Sequence, residues 1–170
     1  VFGLRNSRVT RLYSSYFNGN TLSSEMLLAP LNSQILKIFE NNRDDYRYVA
    51  FFSTLLTAGS SAYNLFEKYK STVDSLSSNL MPMLRISEAY YIAAECEPEP
   101  EEGMQWLNQV LVHRGVKEMT NSSLLASTLE KEYIREFWGE GQLFYYYKRL
   151  KYSEIIDSDD PQYVSMRTMG

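Results

Sequence analysis

Four large apolar residues recur at every fourth position between residues 125 and 137: Leu125, Leu129, Tyr133 and Phe137. A step of four places side chains on one face of an α-helix, so the stretch predicts a helix with a continuous buried stripe and turns Lys131 to solvent. Gly139 and Gly141 interrupt this pattern. The following segment LFYYYKRL (143–150) predicts another helix, although three consecutive tyrosines are as compatible with a strand.

Two further helices are predicted between Pro82 and Gly115, separated by the helix-breaking segment EPEPEEG. The first, MLRISEAYYIAAEC (83–96), carries apolar residues on two sides and is expected to pack between neighbours. The second, EGMQWLNQVLVHRG (102–115), has one apolar face, and Gly115 stands where a left-handed C-cap would end it. The expected apolar residues are Met83, Ile86, Tyr90 and Ala93 with Leu84 and Tyr91 in the first helix, and Met104, Leu107 and Leu111 in the second.

The first half of the chain has a different pattern. Residues 1–23 show no sustained period and are expected to form loops or short extended pieces. The segment PLNSQILKIFE (30–40) predicts a short helix with Pro30 near its first turn. In NNRDDYRYVAFFSTLL (41–56), Asn and Asp are expected to end this helix, and a run rich in β-favouring Tyr, Val and Phe follows from Tyr46. A second such run, NLFEKYKS (64–71), follows the polar segment TAGSSAY, and a β-hairpin across that loop is expected.

These elements predict a mainly α fold, with helix pairs arranged like tetratricopeptide repeats, a small β-hairpin and long loops. The chain has 170 residues, 44% of them hydrophobic and 22% charged. That length and composition are typical of a single folded domain, here residues 1–170.

Charge and residue usage exclude several classes of function. The 17 basic residues against 21 acidic ones leave a net charge of -4, so nucleic acid is not an expected partner. The longest apolar run, Tyr48 to Ala58, is too short for a transmembrane segment. Cys96 is the single cysteine and is expected in the core, and His113 is the single histidine and is expected on a helix surface or helix end. Neither supports a metal site.

The charged residues on the predicted helices can be interpreted either as a catalytic site or as structural ion pairs. Glu136 and Glu140 stand four residues apart and could be read as the carboxylates of a glycoside hydrolase, but no His or second acid cluster supports them. We therefore expect no catalytic residues, no enzyme activity and no cofactor. Charged residues on otherwise apolar helices are instead expected to form a structural ion-pair network, with Trp138 and the run Tyr145–Tyr147 serving packing. The predicted network contains Arg85, Glu88, Arg135, Glu136 and Arg149.

Three stretches, in order and spacing, resemble the SusD/RagB family of surface lipoproteins that bind glycans in bacterial nutrient uptake. MPMLRISEAYYIAAEC (81–96) resembles its Pro-x-x-Arg-x-x-Glu segment, and WLNQVLVHRGV (106–116) its Leu-Asn-x-Val-Arg-x-Arg-x-Gly helix. EYIREFWGEGQLFYYYKRL (132–150) resembles its Arg-Glu-Phe, Gly-Glu-Gly-Gln and Lys-Arg segment. Family members are much longer, so the resemblance implies that this chain is a C-terminal portion.

The resemblance also implies a function and a location. The intact protein is expected on the bacterial outer-membrane surface, anchored by a lipid on a part outside this chain, where it binds an oligosaccharide or other nutrient without catalysis. It would deliver that ligand to a TonB-dependent, SusC-like transporter. Sugar contacts are expected from rings in loop-like sequence, namely Tyr13, Tyr16 and Tyr63. The alternative is a helical-repeat scaffold that binds a protein and no sugar.

The ion-pair network yields a first prediction. Arg85 is expected to pair with an acid, Glu88 or Glu136 being favoured. Removing one partner of a buried pair costs roughly 3 to 5 kcal/mol, whereas breaking an exposed pair costs under about 1 kcal/mol. Arg85→Ala should therefore lower the thermal unfolding midpoint clearly, and a negligible shift would contradict the network.

Overall fold

A computed structural model describes residues 2–5, 15–19, 26–58, 60–70 and 80–152 of the chain. Its described part is mainly α-helical with short antiparallel strands, which confirms the predicted fold class. The helices are α1 (Asn32–Ile38), α2 (Tyr46–Phe52), α3 (Ile86–Cys96), α4 (Pro100–His113), α5 (Leu125–Phe137) and α6 (Leu143–Arg149). The strands are β1 (Phe2–Arg5), β2 (Leu55–Ala58), β3 (Ser61–Asn64) and β4 (Leu80–Leu84).

The predicted hairpin exists, but its strands were misplaced. Strands β2 and β3 pair antiparallel, with Leu55 opposite Asn64 and Ala58 opposite Ser61. Most of the first β-favouring run forms helix α2 instead of a strand, because the Asp45 side chain accepts a hydrogen bond from the backbone N–H of Arg47 and caps the helix. The tertiary core then overrides the β-propensity of the run, since Tyr48 and Phe52, four residues apart, are both buried.

A second two-stranded sheet joins the start of the chain to the segment before α3. Strand β4 pairs antiparallel with β1, and Pro82 lies opposite Gly3. Proline donates no backbone hydrogen bond, but a two-stranded sheet has only edge strands and so accommodates it. The helical pattern expected directly after Pro82 therefore begins later, at Ile86.

The chain divides into two compact units, Val1–Leu129 and Glu130–Gly170. An aromatic cluster of Phe39, Tyr48, Phe52 and Phe66 is buried in the first unit, where Ile35 is also fully buried. The ring of Phe39 lies 5.6 Å from that of Tyr48, and the ring of Phe52 lies 5.5 Å from that of Phe66. Such edge-on and tilted ring contacts add to the burial of apolar area. The amide of Asn64 donates to the backbone carbonyl of Phe52 and ties β3 to the end of α2.

A buried ion pair lies at the start of α2. The side chains of Asp45 and Arg47 are each 2% exposed, with Arg47 Nη2 2.7 Å from Asp45 Oδ2 and Arg47 Nε 3.0 Å from Asp45 Oδ1. The two-point contact holds the guanidinium in one orientation. Arg47 Nη1 then donates to the hydroxyl of Tyr91 at 3.5 Å, the long limit of a hydrogen bond. The pair therefore connects α2 to α3.

The buried face of α3 differs from the predicted one. Ser87, Tyr91 and Ala94 are buried, whereas Ile86 is 68% exposed and Leu84 is also exposed. The expectation of a helix packed on two sides was wrong, because every position from Tyr90 to Ala94 is apolar and the pattern selects no single face. Cys96, expected in the core, is exposed at the end of the helix.

The faces of α4 and α5 agree with the sequence. Leu107 and Leu111 are buried, and Gly115 follows α4 with a φ of +73° in the left-handed region. His113 is exposed at the helix end, as expected. All four residues of the stripe that steps by four along α5 are buried, and Lys131 is exposed.

The second unit contains the end of α5 and the short helix α6. The rings of Tyr133 and Tyr146 stack 4.2 Å apart and so connect the two helices. Tyr147 is also buried, but Tyr145 is 72% exposed, so the expected packing role holds for two of the three tyrosines. Burial, with the adjacent Glu130 carboxylate, raises the pKa of Tyr152 above its usual value.

Within the described ranges, every helix is too short or too polar to cross a lipid bilayer.

The Asp45–Arg47 pair yields the second prediction. Asp45→Ala leaves a buried guanidinium without its carboxylate and removes the cap of α2, so we expect a loss of roughly 3 to 5 kcal/mol in unfolding free energy. Asp44→Ala, one residue away and exposed, should change it by no more than about 0.5 kcal/mol. Urea denaturation measures both, and equal midpoints for the two variants would show that the pair does not hold this region together.

Candidate functional site

Helices α3 and α4 form a hairpin around the turn at residues 97–99. Glu97 ends α3 with an extended backbone, and Pro100 occupies the first turn of α4, where its missing N–H costs no intrahelical hydrogen bond. Glu101 and Glu102 follow in the same turn, where carboxylates interact favourably with the positive end of the helix dipole. The local sequence therefore explains both the break and the start of the second helix.

Gly103 allows the two helices to approach closely. A Cβ atom at this position would lie 2.7 Å from the backbone carbonyl oxygen of Ala94 and 2.8 Å from Cδ2 of Leu125. Both distances are shorter than real Cβ contacts, so only glycine fits without movement of the α3 backbone and of the Leu125 side chain. The close contact brings the side chains that follow on α4 beside those of α3.

One aromatic ring from each helix meets on the outer side of this hairpin. The rings of Tyr90 and Trp106 have their centres 5.9 Å apart and are inclined by 53°. Trp106 is 43% exposed and Tyr90 is half-buried, so both present ring surface to solvent. A tryptophan exposed to this extent presents a large apolar ring and an indole N–H to solvent, and so offers contact surface to a bound molecule.

The two rings line a groove of about 440 Å³, within the range of small-molecule sites. Its remaining wall consists of carboxylates and amides: Glu97, Glu102, Gln105 and Gln109. None of these four side chains makes a hydrogen bond or ion pair with another described residue. Their donors and acceptors therefore remain available to a bound molecule.

This combination suits a flat, hydroxyl-rich ligand. The ring faces offer apolar surface against which the C–H face of a sugar can stack, and the amides can both donate to and accept from hydroxyl groups. Pockets of this kind bind by shape and a few placed polar groups. The groove thus has the composition of a ligand platform.

The three tyrosines predicted to contact sugar are not brought together in this groove. Tyr13 lies outside the described residues. Tyr16 is 48% exposed and does not line the groove. Tyr63 was expected in a loop, but it lies on strand β3 opposite Leu56, is half-buried and forms a bridge to Leu31. A strand position with ladder partners on both sides explains its burial.

The members of the predicted ion-pair network lie in several environments. Arg135 is buried and donates to Glu132 at 2.9 Å on its own helix. Glu136 is buried, and Arg149 lies over the ring of Tyr146 at 5.6 Å, a cation–π contact. Arg85 precedes α3 as its N-cap residue and is half-buried, with Glu88 in the first turn of that helix. The pairing of Arg85 stays a prediction.

The candidate catalytic carboxylates have different surroundings. Glu136 is buried, whereas Glu140 accepts a hydrogen bond from the Gln142 amide at 3.3 Å. Among the described residues, no three His, Cys, Asp or Glu side chains form a group that could hold a metal ion. The absence of enzyme activity stays a prediction.

Sequence reasoning missed the groove, although a signal was present. Along α4, the residues Glu102, Gln105, Trp106 and Gln109 follow the spacing i, i+3, i+4 and i+7, which defines one polar and aromatic face. On α3, Tyr90 and Glu97 are seven residues apart and share a side of the helix. Tyr90 was expected in the core, and no role was predicted for Trp106. The polar and aromatic faces of α3 and α4 were therefore not recognised as the two sides of one groove.

In comparisons with known proteins, no family model matches the chain, and no curated protein or solved structure matches it either. Fold and site together define a class: a mainly α domain with an exposed groove between two helices, lined by aromatic, amide and carboxylate side chains. The resemblance to SusD/RagB proteins stays a prediction.

The contact at Gly103 yields the third prediction. Gly103→Ala adds a methyl group that clashes with the Ala94 carbonyl, and overpacking of this kind costs about 1 to 3 kcal/mol, while alanine recovers up to about 1 kcal/mol of helix propensity. We expect a net loss of stability and a change in the fluorescence of Trp106. Val112→Ala, exposed on the same helix, is the control for both measurements. A variant as stable as the wild type with unchanged fluorescence would show that the helices are not in tight contact.

Proposed function

We propose that this chain is part of a non-enzymatic binding protein and that the α3–α4 groove holds a glycan. The observation that carries the proposal is the pairing of two partly exposed rings with four unengaged polar side chains around one groove. Trp106 contacts Tyr90 but leaves 43% of its surface open to solvent. A stacked sugar ring would cover it.

The binding mode follows from the chemistry of the wall. Trp106 and Tyr90 contribute apolar contact with one face of a sugar ring, and Gln105 and Gln109 hydrogen-bond to its hydroxyl groups. Part of the gain is offset by the loss of translational freedom and by desolvation of the amides, so the affinity for a short oligosaccharide is weak. The affinity for an uncharged sugar is insensitive to salt, because no ions are involved in the contact.

The sequence resemblance supports a wider setting for this activity. We propose that the intact protein lies on the bacterial outer-membrane surface, is anchored by a lipid on a part outside this chain, and passes its ligand to a TonB-dependent, SusC-like transporter. The three motifs in matching order support this assignment, and they lie in α3, α4 and the α5–α6 region.

A protein-binding scaffold is the second candidate. Exposed apolar side chains on the same two helices support it, since Ile86 and Ile92 on α3 and Val112 on α4 are about half or more exposed. Exposed aliphatic residues are common at protein interfaces but contribute nothing to sugar recognition. Such a scaffold would bind its partner and respond to no glycan.

The fourth prediction separates the two candidates. In calorimetric titrations of the chain with a panel of neutral oligosaccharides, at least one should bind, and Trp106→Ala should weaken that binding about tenfold, the equivalent of about 1.4 kcal/mol for one stacked ring. Tyr145→Ala removes a still more exposed ring outside the groove and should bind like the wild type. Circular dichroism checks that both variants are folded.

Two results would contradict the groove as a glycan site. If no oligosaccharide of the panel binds, the protein-binding scaffold is favoured. Co-purification of a protein partner whose binding no sugar affects would further support the scaffold. Equal affinity of Trp106→Ala and the wild type would place the sugar elsewhere on the chain.

A further inference from the structure

We propose that the α3–α4 groove selects glycans that carry protonated amino groups over neutral and acidic glycans. This inference rests on the proposed function, because it names the chemical class of ligand taken by the same groove.

The first observation is the charge of the hairpin that builds the groove. From Ile86 to His113, the chain contains no lysine and no arginine. Six glutamates occur in the same stretch, so the hairpin carries six negative charges with the histidine neutral. They are Glu88, Glu95, Glu97, Glu99, Glu101 and Glu102. The whole chain has a net charge of only -4, so the rest of it is slightly basic and the negative charge is concentrated here. A field of this sign attracts cations and repels anionic sugars.

The second observation is the position of two of these carboxylates. Glu97 and Glu102 line the groove itself, and neither pairs with another described residue. A cation in the groove would therefore meet two carboxylates directly, with no competing side-chain cation from the two helices.

The third observation is the aromatic pair. The face of a tryptophan or tyrosine ring carries partial negative charge and attracts a cation placed over it. Trp106 and Tyr90 present such faces beside the carboxylates. The ring faces and the carboxylates therefore both favour a positively charged ligand. A neutral ligand gains only apolar contact with the rings.

Glutamine side chains decide between an amino sugar and other cations. Gln105 and Gln109 place two amides in the groove, each with donors and an acceptor for hydroxyl groups. A lysine side chain by itself would satisfy the carboxylates and rings but has no hydroxyl groups for these amides. An amino sugar fits all three kinds of side chain.

The test uses two sugars that differ at the amino groups. Chitosan trisaccharide has free amines, and its fully N-acetylated counterpart, chitin trisaccharide, is neutral. At slightly acidic pH, where the amines are protonated, we expect the whole chain to bind the chitosan trisaccharide about tenfold more tightly, as two close charge contacts and a cation–π contact predict. Raising the salt concentration should reduce this ratio, because screening weakens the contacts of the charged ligand alone.

A matched pair of double variants assigns the preference to the groove. Glu97→Gln with Glu102→Gln keeps the shape of both side chains and should bring the ratio of the two affinities close to one. Asp44→Asn with Glu118→Gln makes the same change in net charge at exposed positions outside the groove and should retain the wild-type ratio. Both sites in each variant are at least partly exposed, and circular dichroism confirms folding.

The outcomes separate this inference from the function on which it rests. If the two trisaccharides bind equally, the preference for amino sugars is overturned and glycan binding stands. If a trilysine peptide binds more tightly than the chitosan trisaccharide, the groove recognises a basic protein segment and the inference is overturned. If neither sugar binds and no neutral oligosaccharide binds either, the inference and the proposed function fall together.

Discussion

The close approach of α3 and α4 at Gly103 is the constraint on which the candidate site depends. With 2.7 Å between a hypothetical Cβ and the Ala94 carbonyl oxygen, the helices are nearer than any residue with a Cβ would permit without movement. At this separation, ring side chains on the outer surface of the hairpin meet, as Tyr90 and Trp106 do. If the two helices were farther apart, the rings would separate and the groove would become a flat surface. A packing contact inside the hairpin thus determines the geometry of a surface outside it.

Rotation of α3 about its axis is the second determinant, and a buried ion pair contributes to it. Asp45 orients Arg47, and Arg47 donates to the hydroxyl of Tyr91, whose ring is fully buried. Successive residues on a helix are about 100° apart, so when Tyr91 faces the core, Tyr90 is turned to the side. The groove therefore depends on a pair of charges in a different part of the first unit. The cost of burying those charges is offset by their two-point contact and by the cap that Asp45 forms on α2.

Sequence periodicity predicted some helix faces and failed for others, and the reason is the number of apolar residues. In α5, mostly polar residues separate the four members of the stripe, so the pattern selected that stripe as the apolar core face, although Glu132, Arg135 and Glu136 beside it are buried as well. In α3, the run from Tyr90 to Ala94 is apolar throughout, and periodicity could not select Tyr91 and Ala94 as the core residues. The hairpin was located correctly from its turn residues, but its strands were shifted, because the Asp45 cap and the burial of Tyr48 and Phe52 make the β-favouring run after Asp45 helical. The candidate site was expected on loop tyrosines, whereas the exposed rings with free polar neighbours lie on helices.

The sequence by itself determined the helical class, the breaks at Pro98 to Pro100 and Gly115, and the concentration of negative charge between Ile86 and His113. These properties depend on backbone preferences and on residues a few positions apart, which the order of the chain specifies directly. The tertiary structure alone decided which side of α3 is buried, which charges lie in the core, and that Tyr90 meets Trp106 across two helices. Those outcomes depend on contacts between residues far apart in the chain. Burial and ring contacts stabilise the fold only when surfaces pack together. The distances between those surfaces cannot be read from the order of residues in the sequence.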